Sequence, residues 1–378
     1  MIDKSYIYAV SMMIGTSIGA GIFSLPYVAS KSGFFLFLVL IIILGFIMLV
    51  LSLMYAEVTL RTKNNGRLVG YCGKYLGKNG KKIATLVTLF ALYANILAYI
   101  IIGGKFLNAL FSKYFGGSEF LYSIVMVIFI SAGIYISLRL VSIIELLMVS
   151  FLAITIFGII FKGMNFVNFE NLLTFDISQS FIPFGAILFS VGTLSAIPEL
   201  EHIMKKNQKK IKSAIISGSI ITVIVYILFV AVILGITGHN TSDEALLGLS
   251  SSIGNGIVTL GLVFGIFAIA TSFLIIGINL KEVFWYDYNL SEKKSWALTC
   301  FIPLIIFVLG LRDFITVVSI AGSVTGGFAG ILIIASFYKA KKMGDLKPAF
   351  EIKVPIMMSV VMILVLLLGI AYQFIYGF

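Results

Sequence analysis

The chain has 378 residues, 60% hydrophobic and only 11% charged, with a formal net charge of +11 and a mean hydropathy of +1.12. Soluble domains carry about 25% charged residues. The composition therefore excludes a soluble globular protein and implies a single integral membrane domain spanning residues 1–378.

Crossing ~30 Å of hydrocarbon takes about 20 apolar residues in a helix. The hydropathy pattern predicts spans at 5–30, 33–60, 82–111, 120–138, 141–161, 181–200, 213–237, 254–280, 295–311, 314–338 and 354–376. The first is too long for a secretory signal and lacks a basic leader, so it is expected to stay as helix 1. It contains the run GTSIGAGIFSLP, Gly15 to Pro26, with three glycines and a proline inside an apolar helix. Glycine weakens a helix and proline removes one of its hydrogen bonds. Hydrocarbon does not tolerate the freed backbone groups. A break at this depth is expected only where protein, water or a ligand meets it.

Three basic segments follow. Residues 61–82 hold Arg61, Lys63, Arg67, Lys74, Lys78, Lys81 and Lys82, and are read as a loop. Residues 201–212 hold five lysines, and 339–353 hold five more. With eleven spans all three fall on one side, which is the cytoplasm. The N-terminus is then inside and the C-terminus outside. The opposite segment 238–253 has Asp243 and Glu244 with no Lys or Arg. Clustering of the basic residues between spans also accounts for the net charge without nucleic acid as a partner.

Helix 6 carries a second weak point, SVGTLSAIPE, Ser190 to Glu199, closing on Pro198 as the first closes on Pro26. Small residues in a single membrane helix are more often a packing surface. Two breaks, each in the first helix of a five-helix half, favour a binding site at the midplane. The expected architecture is all-α: an inverted repeat of five plus five helices, 1–161 and 181–338, with an additional helix at 354–376. Cys72, Cys300, His202 and His239 are too scattered to form a disulfide framework or a metal centre.

With these runs in view, the chain resembles the amino acid–polyamine–organocation superfamily, which has the leucine-transporter-type fold. Within it the chain is most similar to the hydroxy and aromatic amino acid permeases and the amino acid/auxin permeases. The resemblance rests on GTSIGAGIFSLP at 15–26, AEV at 56–58, IP at 182–183, SVGTLSAIPE at 190–199, and IATSFLIIG at 269–277 followed by Phe284, Trp285 and Tyr286. It covers nearly the whole chain. One departure is that Thr193 and Leu194 stand where the aromatic permeases carry bulky or histidine residues, which weighs against an aromatic substrate.

The resemblance implies amino acid transport across the cytoplasmic membrane by alternating access, with helices 1, 2, 6 and 7 moving against 3, 4, 8 and 9. A broken helix suits such a substrate. N–H groups around Ala20, Gly21 and Ile22 face its carboxylate, helped by the half-helix dipole. Carbonyls around Thr16, Ser17 and Ile18 face its ammonium, completed by Phe189, Ser190 and Gly192. Gly19 and Gly21 let the backbone come close. Thr193, Leu194 and residues of helix 3 such as Tyr93, Asn95 and Tyr99 are candidates for the side-chain pocket; the helix 3 residues equally suit interhelical bonding.

Ala268, Thr271 and Ser272 lie on one helical face. The resemblance implies a sodium ion there, with the carbonyls of Gly15 and Ile18. Back-bonding of the hydroxyls to their own helix is the plain alternative, and proton coupling is the competing energy source. Three acids lie at or near spans: Glu57, Glu145 and Glu199. They are read as gate or ion-pair residues toward Arg61, Arg139 or Lys205, with Glu199 the best proton candidate. No cofactor beyond sodium is expected, and the partners are the amino acid, the bilayer, and sodium or a proton. No P-loop and no nucleophile–base set points to an enzyme. The rival reading is an amino-acid-sensing receptor subunit of the same fold, as in spore germinant receptors.

Overall fold

A computed structural model of the chain describes residues 4–63, 66–134, 138–205, 207–249 and 253–377; the side chains of 138–149, 202, 286 and 287 fall outside that description. Helical elements lie at each of the eleven predicted segments, and no strand occurs among the described residues. Among the described residues, seven helices are long and apolar enough to cross a membrane, or eight when a bent pair at the N-terminus is counted as one span.

That pair is α1 (Lys4–Ser17) and α2 (Gly21–Ser32), set 55° apart. Then come α3 (Phe34–Arg61), α4 (Leu68–Phe115), α5 (Glu119–Gly133) and α6 (Leu138–Gly163). The segment expected as one span at 181–200 is two short helices, α7 (Pro183–Ser190) and α8 (Ile197–Ile203). Long helices α9 (Ile211–Thr237) and α10 (Asn255–Glu282) follow, then α11 (Glu292–Val308). A short α12 (Phe314–Ile320) runs through a π-helical turn, Ala321–Gly326, into α13 (Gly327–Met343), and α14 (Ile356–Tyr376) ends the chain.

The reading of 61–82 as a loop is corrected. Residues 68–76 are the first part of α4, which bends at Gly77. Leu68, Tyr71, Cys72, Tyr75 and Leu76 recur at helical spacing, so the segment has one apolar stripe despite its charge. Tyr71, Cys72 and Tyr75 are buried, and the Tyr75 hydroxyl is 2.7 Å from that of Thr62. Gly77 has φ +75°, a conformation that residues with a Cβ rarely adopt.

Packing divides the helices into two groups. The broken pair α1 and α2, with α3, α7 and α9, pack on one another. The helices α5, α10 and α11 gather around α4, and α6 packs on α10. The segment from α12 to α13 touches both groups. α7 lies backbone to backbone on the π turn, with Gly185 facing Gly322. Between the groups, Phe23 of α2 meets Phe106 of α4 edge to face, with ring centroids 5.0 Å apart.

The three basic segments converge on one end of the molecule. Arg61 contacts Glu351, Lys74 contacts Asp345, and Arg67 lies 3.5 Å from Glu199. The Lys63 backbone N–H, and then the Lys74 ammonium, hold the Asp345 carboxyl below the usual carboxylate range. Glu57, fully buried, anchors this end. Its Oε1 accepts from Arg61 Nε at 2.9 Å and its Oε2 from the Ile352 backbone N–H at 2.7 Å. Both oxygens are therefore paired, and the acid ties α3 to the segment before α14. Glu199 is corrected in partner: it pairs with Arg67 rather than Lys205, and both side chains are more than half exposed. Such a pair contributes about 0–1 kcal/mol. Glu145 and Arg139 lie outside the described side chains.

Removing one member of a buried ion pair typically costs about 3–5 kcal/mol. Glu57→Ala is expected to lower the thermal midpoint of the purified protein strongly, whereas Glu199→Ala leaves it within a degree or two. Equal, small shifts in the two variants would contradict the anchoring role of Glu57.

Candidate functional site

The hydrogen-bond ladder of α1 stops at Ile18, whose N–H reaches Ile14 O at 2.8 Å. The next N–H, of Gly19, turns back onto Ser17 O at 2.8 Å instead of closing on Gly15. The carbonyls of Gly15 and Thr16 at the end of α1 are thus acceptors the helix leaves over. No side chain caps the start of α2, so the N–H groups of Gly21 and Ile22 are leftover donors. Ile18, Gly19 and Ala20 form the break itself. Ser17, Ile18, Ala20, Gly21 and Ile22 are buried, whereas the Thr16 side chain is exposed.

The second break follows Ser190. Val191, Gly192 and Thr193 leave the α-helical path, and Leu194–Ala196 form a single 3-10 turn before α8. Phe189 and Ser190 end α7, Ser190 and Thr193 are buried, and Leu194 is partly buried. The Thr193 hydroxyl lies 3.1 Å from that of Ser52 on α3.

The structure brings the two breaks together. A Cβ on Gly21 would lie 2.6 Å from Ser190 Oγ and 2.9 Å from Ser190 Cα. Only a glycine allows α2 to start this close to the end of α7. Between them stands a residue the sequence reading did not single out, Tyr226 of α9. Its hydroxyl donates to Ser17 O and lies 3.1 Å from Ser190 O. One hydroxyl thus touches the carbonyl end of each broken helix, and the ring is fully buried. A tyrosine in an apolar helix reads as core; the signal that marks it is the stripe Ser219, Thr222 and Tyr226 on one face of α9. Beside it lies a cavity of about 10 Å³, room for about one water, lined by Ser17, Thr193, Ser219 and Thr222. Thr222 Oγ1 is buried and has no hydrogen-bond partner among the described residues.

The other candidates sit on α4 and α10. The Asn95 amide donates to Ala91 O of its own helix at 2.7 Å. Tyr93 reaches Leu298 O on α11 at 3.2 Å, and Tyr99 is buried within α4. On α10, the Thr271 hydroxyl lies 3.0 Å from both Phe267 O and Ala268 O, so two atoms proposed as cation ligands engage each other. Ser272 is partly buried. α10 packs chiefly on α4 and α6. It approaches the broken span where Gly265 faces Phe106 and Phe23.

A junction of two broken helices with leftover donors and acceptors, and no charged side chain in it, suits a zwitterion rather than a reaction. Comparison with known proteins decides its class. The tryptophan/tyrosine permease family matches residues 2–375. The chain belongs to that family. It is a multi-pass membrane permease of the amino acid transport class, not an enzyme. It is 27% identical over 352 residues to the tyrosine-specific transport system 1 of Haemophilus influenzae, covering 88% of this chain and 87% of the relative. It is 23% identical over 340 residues to glutamine transporter 2 of Aliivibrio fischeri, covering 85% and 84%. It is 24% identical over 368 residues to the low affinity tryptophan permease of Escherichia coli, covering 89% and 88%.

In this permease, Tyr226→Phe leaves the Ser190 carbonyl without this donor, while Ser17 O keeps the Gly19 N–H. A buried polar group left unpaired costs about 1–3 kcal/mol. The variant is expected to unfold several degrees lower in a thermal scan of the detergent-solubilised protein. An unchanged midpoint would show that the hydroxyl does not hold the breaks together.

Proposed function

We propose that the chain is a secondary active transporter that moves an amino acid across the cytoplasmic membrane by alternating access, in symport with sodium or a proton. The observation that carries this reading is the junction of the two broken helices, with Gly21 seated on Ser190 and Tyr226 touching both. Family membership and relatives named for tyrosine, tryptophan and glutamine transport support it.

In this reading the α-carboxylate is bound by the N–H groups at Ala20, Gly21 and Ile22, and the ammonium by carbonyls at Thr16, Ser17 and Ile18 with Phe189, Ser190 and Gly192. Thr193, Leu194 and Asn95 border the side chain. Relatives named for such different side chains share only the amino acid head group, which is what a backbone junction recognises. The division of helices into a group around the breaks and a group around α4 supports a bundle that rocks against a scaffold. We place the chain in the amino acid–polyamine–organocation superfamily, with five-plus-five inverted repeats at 1–161 and 181–338 and an eleventh helix at 354–376. Convergence of the basic segments at one end supports a cytoplasmic N-terminus and an outside C-terminus. A sodium site is assigned to Gly15, Ile18, Ala268, Thr271 and Ser272. Its occupation requires the Thr271 hydroxyl to turn from its present acceptors toward the ion.

Purified protein in proteoliposomes is expected to accumulate at least one of the twenty amino acids under an imposed sodium or proton gradient. Absence of gradient-driven uptake for all twenty, from a monodisperse preparation, would overturn the reading.

Thr271→Ala with Ser272→Ala is expected to abolish any sodium stimulation of uptake. The check is uptake with sodium replaced by choline. Sodium stimulation that survives in the double variant would refute the cation site.

A further inference from the structure

Two buried acids among the described residues, Glu57 and Glu244, differ in how completely they are paired. Glu57 has a partner on each oxygen. Glu244 lies in a cluster with Lys105 on α4 and Asp243 in the 241–249 segment. Lys105 and Asp243 form an ion pair, with side chains 14% and 26% exposed. Glu244 is 3% exposed, and its Oε1 has no hydrogen-bond partner among the described residues. The Asp243 and Glu244 carboxyls lie within hydrogen-bonding reach of each other. Two carboxylates against one ammonium leave a surplus negative charge in a buried place. Burying an unpaired charge is costly, and the group neutralises instead. The ligand that fits is a proton shared between the two carboxyls.

The segment bearing the acids is seated under strain. Ala245 is buried at φ +66°, a left-handed conformation that is strained for a residue with a Cβ. Leu246 holds it from one side, packing toward Gly261 of α10 and Ile159 of α6. The Ser242 hydroxyl accepts from the Gly248 N–H at 3.3 Å, and the Thr241 hydroxyl donates to Gly238 O at 2.7 Å. From the other side the only charged anchor described is Lys105 to Asp243. From Gly77 to Lys105, α4 rises about 40 Å. The cluster therefore lies at the end opposite the basic segments.

We propose that Lys105, Asp243 and Glu244 form a proton-binding site, and that proton occupancy fixes the 241–249 segment in its seat between α4, α9 and α10. That this end faces the outside rests on the transporter reading; the titration itself does not. In this role Glu244 replaces Glu57 and Glu199 as the proton site, since the first is fully paired and the second is exposed beside Arg67.

The charges around the cluster support this. Burial pushes the Glu244 carboxyl up to about 7, and the hydrogen bond and charge of Asp243 add to it. Burial alone would raise Asp243 too, but the bond with Glu244 and the Lys105 ammonium hold it below the usual range. The other charged groups on packed elements are turned elsewhere or exposed. Lys31 of α2 lies over the Tyr27 ring, Glu170 and His239 are exposed, and exposed Lys162 of α6 lies near Gly254. A carboxyl that holds its proton more tightly in the seated segment makes seating stronger as pH falls. The gain is absent above about 7, grows below it, and is complete near the ordinary value of 4.5.

Amide hydrogen exchange of residues 241–249, measured on the full protein in lipid nanodiscs and corrected for intrinsic rates, reads the seating equilibrium. Protection is expected to be about 25-fold greater at pH 5.5 than at pH 8, from the ten-fold per unit that linkage gives. Glu244→Gln, which keeps the shape and a donor toward Asp243, is expected to show the low-pH protection at both values. Lys105→Met is expected to move the transition to higher pH, because the acids lose their counter-charge. Protection that does not change with pH in the wild type would overturn the site. So would wild-type pH dependence retained in Glu244→Gln. Exchange is read without substrate, so failure of amino acid uptake and failure of this site are separate results.

Discussion

Hydrocarbon offers no water to an unpaired N–H or C=O. Every departure from regular helix in this protein must therefore be met by another part of the protein or by a ligand. The two breaks answer that constraint jointly. The carbonyl end of α1 and the carbonyl end of α7 point at the same tyrosine hydroxyl. A single phenol proton is shared between two acceptors, of which Ser17 O also takes the Gly19 N–H. A group with several protons, such as an ammonium, satisfies both carbonyls where a hydroxyl satisfies one fully. The constraint that makes breaks costly is met here by backbone groups and one hydroxyl rather than by charged side chains.

Close approach is the second requirement, and it is met by backbone. Gly21 seats α2 on Ser190, and Gly185 seats α7 on the π turn at Gly322. The broken helices are thus positioned by contacts that any added methyl would push apart, and overpacking of this kind costs about 1–3 kcal/mol. The helices around α4 also meet at glycines, with Gly103 and Gly104 set against Met126 and Ser123 of α5. They pack as well through larger side chains such as Phe106 and Phe273, both fully buried.

What was legible in the sequence follows from which signals hydrocarbon amplifies. The apolar spans could be placed to within a few residues, because span length is set by the bilayer. The glycine-rich break after Ser17 and the break after Ser190 were legible because glycine and hydroxyl residues are out of place in such helices. Residues 68–76 were not, because lysines at 74 and 78 masked an apolar stripe that is plain once spacing rather than charge is read. Tyr226 was missed for a different reason. Its role depends on α9 passing between two breaks far away in sequence, and a lone tyrosine carries no mark of that. The partner of Glu199 was missed likewise, since Arg67 is 132 residues away.

Depth alone does not tell a structural acid from one that titrates. Glu57 is more deeply buried than Glu244, yet its two oxygens are taken by a guanidinium and a backbone N–H, and its charge is compensated where it stands. Glu244 lies beside an acid that already holds Lys105, and it has an oxygen that nothing meets among the described residues. The incomplete pairing, not the burial, leaves room for a proton. The same logic applies to the helix breaks, where one hydroxyl is shared between two carbonyls. In a protein whose interior offers so little polar surface, an unsatisfied group is a more direct pointer to function than a charged one.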